Sequence, residues 1–127
     1  MAEAYINKGM ALKALGQYQK AIETFDTTIR YKPDFSEAYY AKGISLYELG
    51  QYQEAIKNYD TAIQYNPNDA DYYIGKGIVL KELGQHQEAM ESYNLAIKYD
   101  SDNVYAYQLA NELTKKIKKS NLRIITD

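Results

Sequence analysis

Apolar residues recur along this chain at three- and four-residue steps, as in Ala21, Ile22, Phe25 and Ile29 and again in Ala55, Ile56, Tyr59, Ala62 and Ile63. That is the spacing of one helix face rather than of a strand, with polar residues filling the opposite face. The pattern predicts six amphipathic helices, at about 2–15, 18–31, 37–49, 52–65, 71–83 and 86–99. A seventh follows over 104–119, carried by Val104, Tyr107, Ala110, Leu113 and Ile117. Punctuation falls between them. Gly16, Gly50 and Gly84 each come just after the last apolar residue of a helix, where a left-handed residue closes a helix without a Cβ penalty. Pro33 and Pro67 cannot continue the helices before them, and Asp34, Asn68, Asp69 and Asp102 offer caps to the helices after them.

The punctuation is periodic, and the period is 34 residues. ALGQYQKAIETFDTTIRYKP becomes ELGQYQEAIKNYDTAIQYNP and then ELGQHQEAMESYNLAIKYDS. Divided at 2–35, 36–69 and 70–103, the first two copies agree at 18 of 34 places, so each copy is one helical hairpin built to the same plan. Within a copy an aromatic stands at the fourth place (Tyr5, Tyr39, Tyr73), Gly at the eighth (Gly9, Gly43, Gly77) and Ala at the twentieth (Ala21, Ala55, Ala89). Phe25, Tyr59 and Tyr93 hold the twenty-fourth, Thr28, Ala62 and Ala96 the twenty-seventh, and Pro33, Pro67 and Ser101 the thirty-second. In these residues the chain resembles the tetratricopeptide repeat family over 2–103. The resemblance implies an all-α fold, a right-handed α-solenoid of three hairpins with a C-terminal closing helix, the domain ending at 119 and a short tail occupying 120–127. Glycine and alanine would let the two helices of a hairpin approach while large aromatics fill the space beside them. Departures from the family are Tyr in place of Trp, Thr28 in place of a small apolar residue, Ser101 in place of Pro, and Lys8, Lys42 and Lys76 where Leu is usual. A lysine stem lying along the hairpin with its amine in water accommodates the last of these.

Composition narrows the function. With 15 Lys and Arg against 17 Asp and Glu the net charge is −2, with a pI near 5.4, unlike the basic balance of phosphate-backbone binders. No cysteine is present and His86 is the lone histidine, so disulfides, thiolate metal sites and Cys nucleophiles lack their residues, and no metal or cofactor is expected. His86 takes the place of Tyr18 and Tyr52 and reads as a packing residue; Glu88 and Glu91 lie on a helix surface with no nucleophile beside them, so nothing points to an enzyme. No run approaches the roughly 18 apolar residues of a membrane span, which reads as a cytoplasmic chain, and its start at the first place of a repeat suits an excised part of a longer array. Tyrosine is abundant, 15 of 127, but most tyrosines fall at repeating packing places; Tyr40 and Tyr47 do not.

The resemblance also implies where a partner would bind. The family's concave groove is built from first-helix residues, which here are Glu3, Ile6, Asn7, Met10, Lys13 and Ala14, then Glu37, Tyr40, Ala41, Ile44, Tyr47 and Glu48, then Asp71, Ile74, Gly75, Ile78, Lys81 and Glu82. Ile6, Met10, Tyr40, Ile44, Ile74 and Ile78 would form an apolar stripe of a kind that soluble monomers seldom leave bare. The family's best-known ligand mode, capture of a chaperone's C-terminal carboxylate, would need Lys and Asn at Ile6 and Met10, Asn at Ala41, and Lys and Arg at Asp71 and Gly75. All five are missing, and Glu3, Glu37 and Asp71 open the three first helices with acid, which favours an apolar partner with basic flanks. Two other readings compete. Residues 1–114 carry 10 basic and 16 acidic residues while 115–127 carry 5 basic residues and Asp127, so Lys118, Lys119, Leu122, Arg123, Ile124 and Ile125 could serve self-association, in a groove or end to end. The basic run 115–123 could instead touch nucleic acid, although no aromatic is interleaved with it.

Overall fold

A computed structural model of the chain describes the backbone of residues 1–126 and the side chains of residues 1–123; the side chains of Ile124 and Ile125, named above for self-association, lie outside the described residues. All the regular structure described is helical: α1 (Ala2–Ala14), α2 (Tyr18–Tyr31), α3 (Ser36–Glu48), α4 (Tyr52–Tyr65), α5 (Ala70–Glu82), α6 (His86–Tyr99) and α7 (Val104–Thr126). Among the described residues no helix is long and apolar enough to cross a membrane. The chain divides into two compact units, Met1–Asn68 with α1 to α4 and Asp69 onward with α5 to α7. In the first, α1 pairs with α2 and α3 with α4, while α2 packs on α3; in the second, α5 pairs with α6 and α6 packs on α7.

Each hairpin turn is made the same way. Gly16 sits at φ 77°, its amide donating to the Lys13 carbonyl at 2.9 Å while the Gln17 amide donates to the Leu12 carbonyl at 2.9 Å. This pair of hydrogen bonds satisfies the last carbonyls of α1 and needs a left-handed residue, which only glycine supplies without strain. The turns at Gly50 and Gly84 repeat it. The helix starts are less uniform than expected. Asp69 accepts from the Asp71 amide at 3.0 Å and Asn103 from the Ala106 amide at 3.0 Å, but the N-cap of α3 is Phe35, with no side-chain cap, so Asp34 does not serve.

The core forms where the small residues allow it. Phe25 is fully buried with Ile6, Ala21, Ala38 and Ala41, and Leu12, Ile29 and Phe35 close over them. A Cβ on Gly9 would strike the Phe25 ring, one on Gly43 would lie 2.7 Å from Tyr59 Cε1, and one on Gly77 2.5 Å from Tyr93 Cε1. Thr28, the departure at the twenty-seventh place, is buried and its hydroxyl donates to the Thr24 carbonyl at 3.0 Å, so the polar atom is satisfied inside its own helix. In every hairpin the fourth-place tyrosine stacks on the last tyrosine of the second helix: Tyr5 on Tyr31 with centroids 5.4 Å apart, Tyr39 on Tyr65 at 5.8 Å and Tyr73 on Tyr99 at 5.4 Å.

Two expectations are corrected. The Lys42 amine does not simply reach water; it pairs with Asp26 across the α2–α3 contact at 2.7 Å. Helix α7 does not end at 119 but runs on to Thr126, so 120–126 is helical. The physical reason lies one period after Gly84, where Lys118 replaces the glycine that turns the chain in every hairpin. Arg123 in the last turn suits the helix dipole, and Lys115, Lys116, Lys118 and Lys119 carry the helix onward with good propensity.

Candidate functional site

The first-helix residues divide into those the core absorbs and those it leaves open. In the first unit Ile6 is 7% exposed and belongs to the Phe25 cluster, and Ala41 is 2% exposed, so neither presents an open surface. Met10 stands 42% exposed, Glu3, Asn7, Glu37 and Glu48 are exposed, and Lys13 is half-buried, which lowers its amine pKa from the ordinary lysine value. On α3, Tyr40, Ile44 and Tyr47 are half-buried. Their spacing of four and then three residues puts them on one face. That face is stiffened from below, since the Tyr40 ring lies 5.8 Å from that of Tyr59 and the Tyr47 ring 5.6 Å from that of Tyr52. Tyr59 is itself buried, and burial pushes its phenol pKa upward, with the neighbouring Tyr40, Tyr47 and Glu48 adding to the shift.

In the second unit the same division holds. Ile74 is 6% exposed and belongs to the interior, whereas Ile78 and Lys81 are half-buried and Lys81 lies 3.4 Å from Glu82. Asp71 is exposed at the start of α5, and its carboxyl is raised above the ordinary value, first by partial burial and then by Asp69 and Asp100. The apolar stripe read from the sequence is therefore interrupted within each unit: in the first, Ile6 leaves it and Met10, Tyr40, Ile44 and Tyr47 remain; in the second, Ile74 leaves it and Ile78 remains. The half-open aromatic and aliphatic face of α3, flanked by Glu37 and Glu48, can take up an apolar side chain and attract a cation beside it.

One feature of the second unit has almost no signature in the sequence. Between the start of α6 and the far end of α7 lies a cleft of about 460 Å³ lined by His86, Gln87, Met90, Ile117, Ser120 and Asn121. The missing glycine at 118 is its only sequence signal, because the cleft exists through the continuation of α7. His86 Nδ1 is buried there without a hydrogen-bond partner. An unsatisfied buried nitrogen costs about 1–3 kcal/mol, and Tyr18 and Tyr52 hold the same place in the other hairpins. His86→Tyr is accordingly expected to raise stability by about 1 kcal/mol, seen as a higher urea midpoint with unchanged slope.

Comparison with known proteins follows the same lines. Three family models match in succession: a tetratricopeptide repeat model over residues 6–57, a TPR repeat model over 43–84 and a further tetratricopeptide repeat model over 70–103. No curated protein gives a significant match. Among solved structures, the Sgt2 TPR domain from Aspergillus fumigatus superposes with a TM-score of 0.89 at 17% identity, covering 94% of this chain and 81% of that one. The first TPR of Spaghetti (RPAP3), solved bound to the HSP90 peptide SRMEEVD, gives a TM-score of 0.88 at 17% identity over 92% of this chain and 93% of its own. MamA from Desulfovibrio magneticus RS-1 (residues 41 to the end) gives 0.84 at 25% identity, covering 99% of this chain and 72% of that chain. The likenesses at this identity establish the all-α hairpin solenoid fold. Joined to the 34-residue period, the Gly turns and the small-to-aromatic contacts of each hairpin, the three successive matches mean that the chain belongs to the tetratricopeptide repeat family.

Proposed function

We propose that the protein is an interaction scaffold that binds an apolar peptide or helix with Lys or Arg flanks on its first-helix faces. The observation that carries this reading is the Tyr40, Ile44 and Tyr47 face, left half-open between two exposed glutamates while its two rings are held in place by Tyr59 and Tyr52. Pre-positioned aromatics lose little side-chain freedom on binding and are the usual anchors of such surfaces. In the first unit Met10 and Lys13 on α1 are assigned to the same function, with Glu3, Asn7 and Glu37 as polar margin; in the second, Asp71, Ile78 and Lys81 on α5 are assigned a like role. A peptide-bound neighbour of this fold supports peptide binding in general. Its acidic ligand is not the one proposed here, because the five clamp places in this chain hold Ile6, Met10, Ala41, Asp71 and Gly75.

Calorimetry against two peptide sets tests the proposal. Peptides with an apolar centre and basic flanks are expected to bind, and Tyr47→Ala or Ile44→Lys to weaken them about tenfold or more, as for truncation of an interface anchor. Tight binding of an acidic C-terminal peptide, indifferent to Asp71→Lys, would overturn it.

A further inference from the structure

Helix α7 starts where a fourth copy of the repeat would start, but Lys118 stands at the place of the turn glycine and the helix runs straight through it. Its inner face, Ala106, Ala110 and Leu113 with Leu109 and Ile117, is spent on packing, and the opposite face is solvent-exposed from Val104 to Leu122. Val104 is 77% exposed and Leu122 63%. These two are 18 residues apart, five helical turns, so they lie on one line along the outer face. The charges on α7 are divided along it: Glu112 is its acid, and Lys115, Lys116, Lys118 and Lys119 follow, all four exposed.

We infer that α7 is a self-pairing surface, on which the α7 of a second copy lies antiparallel about a two-fold axis. With Val104 set against the partner's Leu122, the axis passes level with residue 113 and the rest of the face falls into register. Glu112 comes within two residues, about 3 Å of rise, of the partner's Lys116 on the same flank, and reciprocally. Tyr105, 52% exposed, comes equally close to the partner's Lys119 on that flank, and Tyr107, 45% exposed, falls one residue from the partner's Lys118 on the other. Each tyrosine thus receives an ammonium group across the interface, as cation–π contacts require. Asn111 and Gln108 occupy the levels of the partner's Lys115 and the partner's Lys118, so the helix meets its own basic half with neutral or acidic residues. Parallel pairing would set lysine on lysine at four levels, and a two-fold antiparallel contact is closed, so it stops at the dimer. This complementarity is why a second copy is the occupant. The strip is narrow and about 35 Å long for a 23-residue helix, which places it in the small-interface class below about 1,200 Å². The dimer therefore forms at high protein concentration and does not draw on the first-helix residues of α1, α3 or α5.

Sedimentation equilibrium from about 5 μM to about 1 mM is expected to show the mass rising from 14.6 kDa toward twice that value, and the rise to shrink in about 1 M salt, where screening extends only about 3 Å. Glu112→Lys and Lys116→Glu are each expected to weaken dimerisation about fivefold or more. Mixing the two variants is expected to restore it, because the lysine introduced in one copy then meets the glutamate introduced in the other, while the reciprocal native pair is kept. Leu122→Lys is expected to abolish it. All these residues are exposed, so far-UV dichroism should match wild type in every case. A mass that stays at one chain throughout, a mixture no heavier than its components, or a dimer indifferent to Leu122→Lys overturns the inference. Peptide binding by the Tyr40 face, measured on the same Leu122→Lys protein, should be unchanged, which separates this result from that of the proposed function.

Discussion

Truncating Phe25 to alanine is expected to lower the free energy of unfolding by about 3–5 kcal/mol, among the largest effects of any single change in this chain. The ring is fully buried among Ile6, Ala21, Ala38 and Ala41, residues drawn from α1, α2 and α3. Its removal leaves a cavity that three helices would have to collapse to fill. Ala21, Ala38 and Ala41 carry only a methyl group and cannot extend into it, so relaxation is limited and the cost lies toward the upper end. Urea denaturation followed by far-UV dichroism reads the shift in midpoint; a change below about 1 kcal/mol would contradict the packing described.

Overfilling should cost nearly as much as emptying. Gly43→Leu is expected to destabilise the protein by about 1–3 kcal/mol or more, since even its first carbon would stand 2.7 Å from Tyr59 Cε1. The Tyr59 ring cannot retreat, being 2% exposed and backed by Tyr40. Combining Gly43→Leu with Tyr59→Ala gives the sharper result: the leucine then occupies space the ring vacated, and the double variant should lose less than the two single losses together. Additive losses would show that the two residues do not share that space.

The hairpins are legible because their boundaries are written in residues whose backbone preferences are local. The expected helices at 18–31, 52–65 and 86–99 coincide with α2, α4 and α6, since glycine turns precede them and proline or a polar run follows. What cannot be read depends on neighbours distant in sequence. Ile6, Tyr40 and Ile74 hold the same place in three repeats, yet Ile6 and Ile74 are buried and Tyr40 is only half-buried, because a tyrosine at that place lies against the ring of Tyr59 with part of its own surface outside. The Lys42–Asp26 pair joins two helices whose relative rotation no periodicity specifies. The end of α7 is hidden for the opposite reason: the residue that would stop it is absent, and an absent breaker is a weaker signal than a present one.

The tyrosine stacks give this molecule a particular optical character. It has 15 tyrosines and no tryptophan, so its near-ultraviolet absorption, dichroism and emission come almost entirely from phenol rings. In each hairpin one stacked pair, 5.4–5.8 Å between centroids, joins the first turn of one helix to the last turn of the next. Such a pair exists only while its hairpin is closed. The 34-residue unit of structure is therefore also a unit of signal, and the change in near-ultraviolet dichroism when one stack is removed by Tyr→Phe is the contribution of a single repeat within the intact chain.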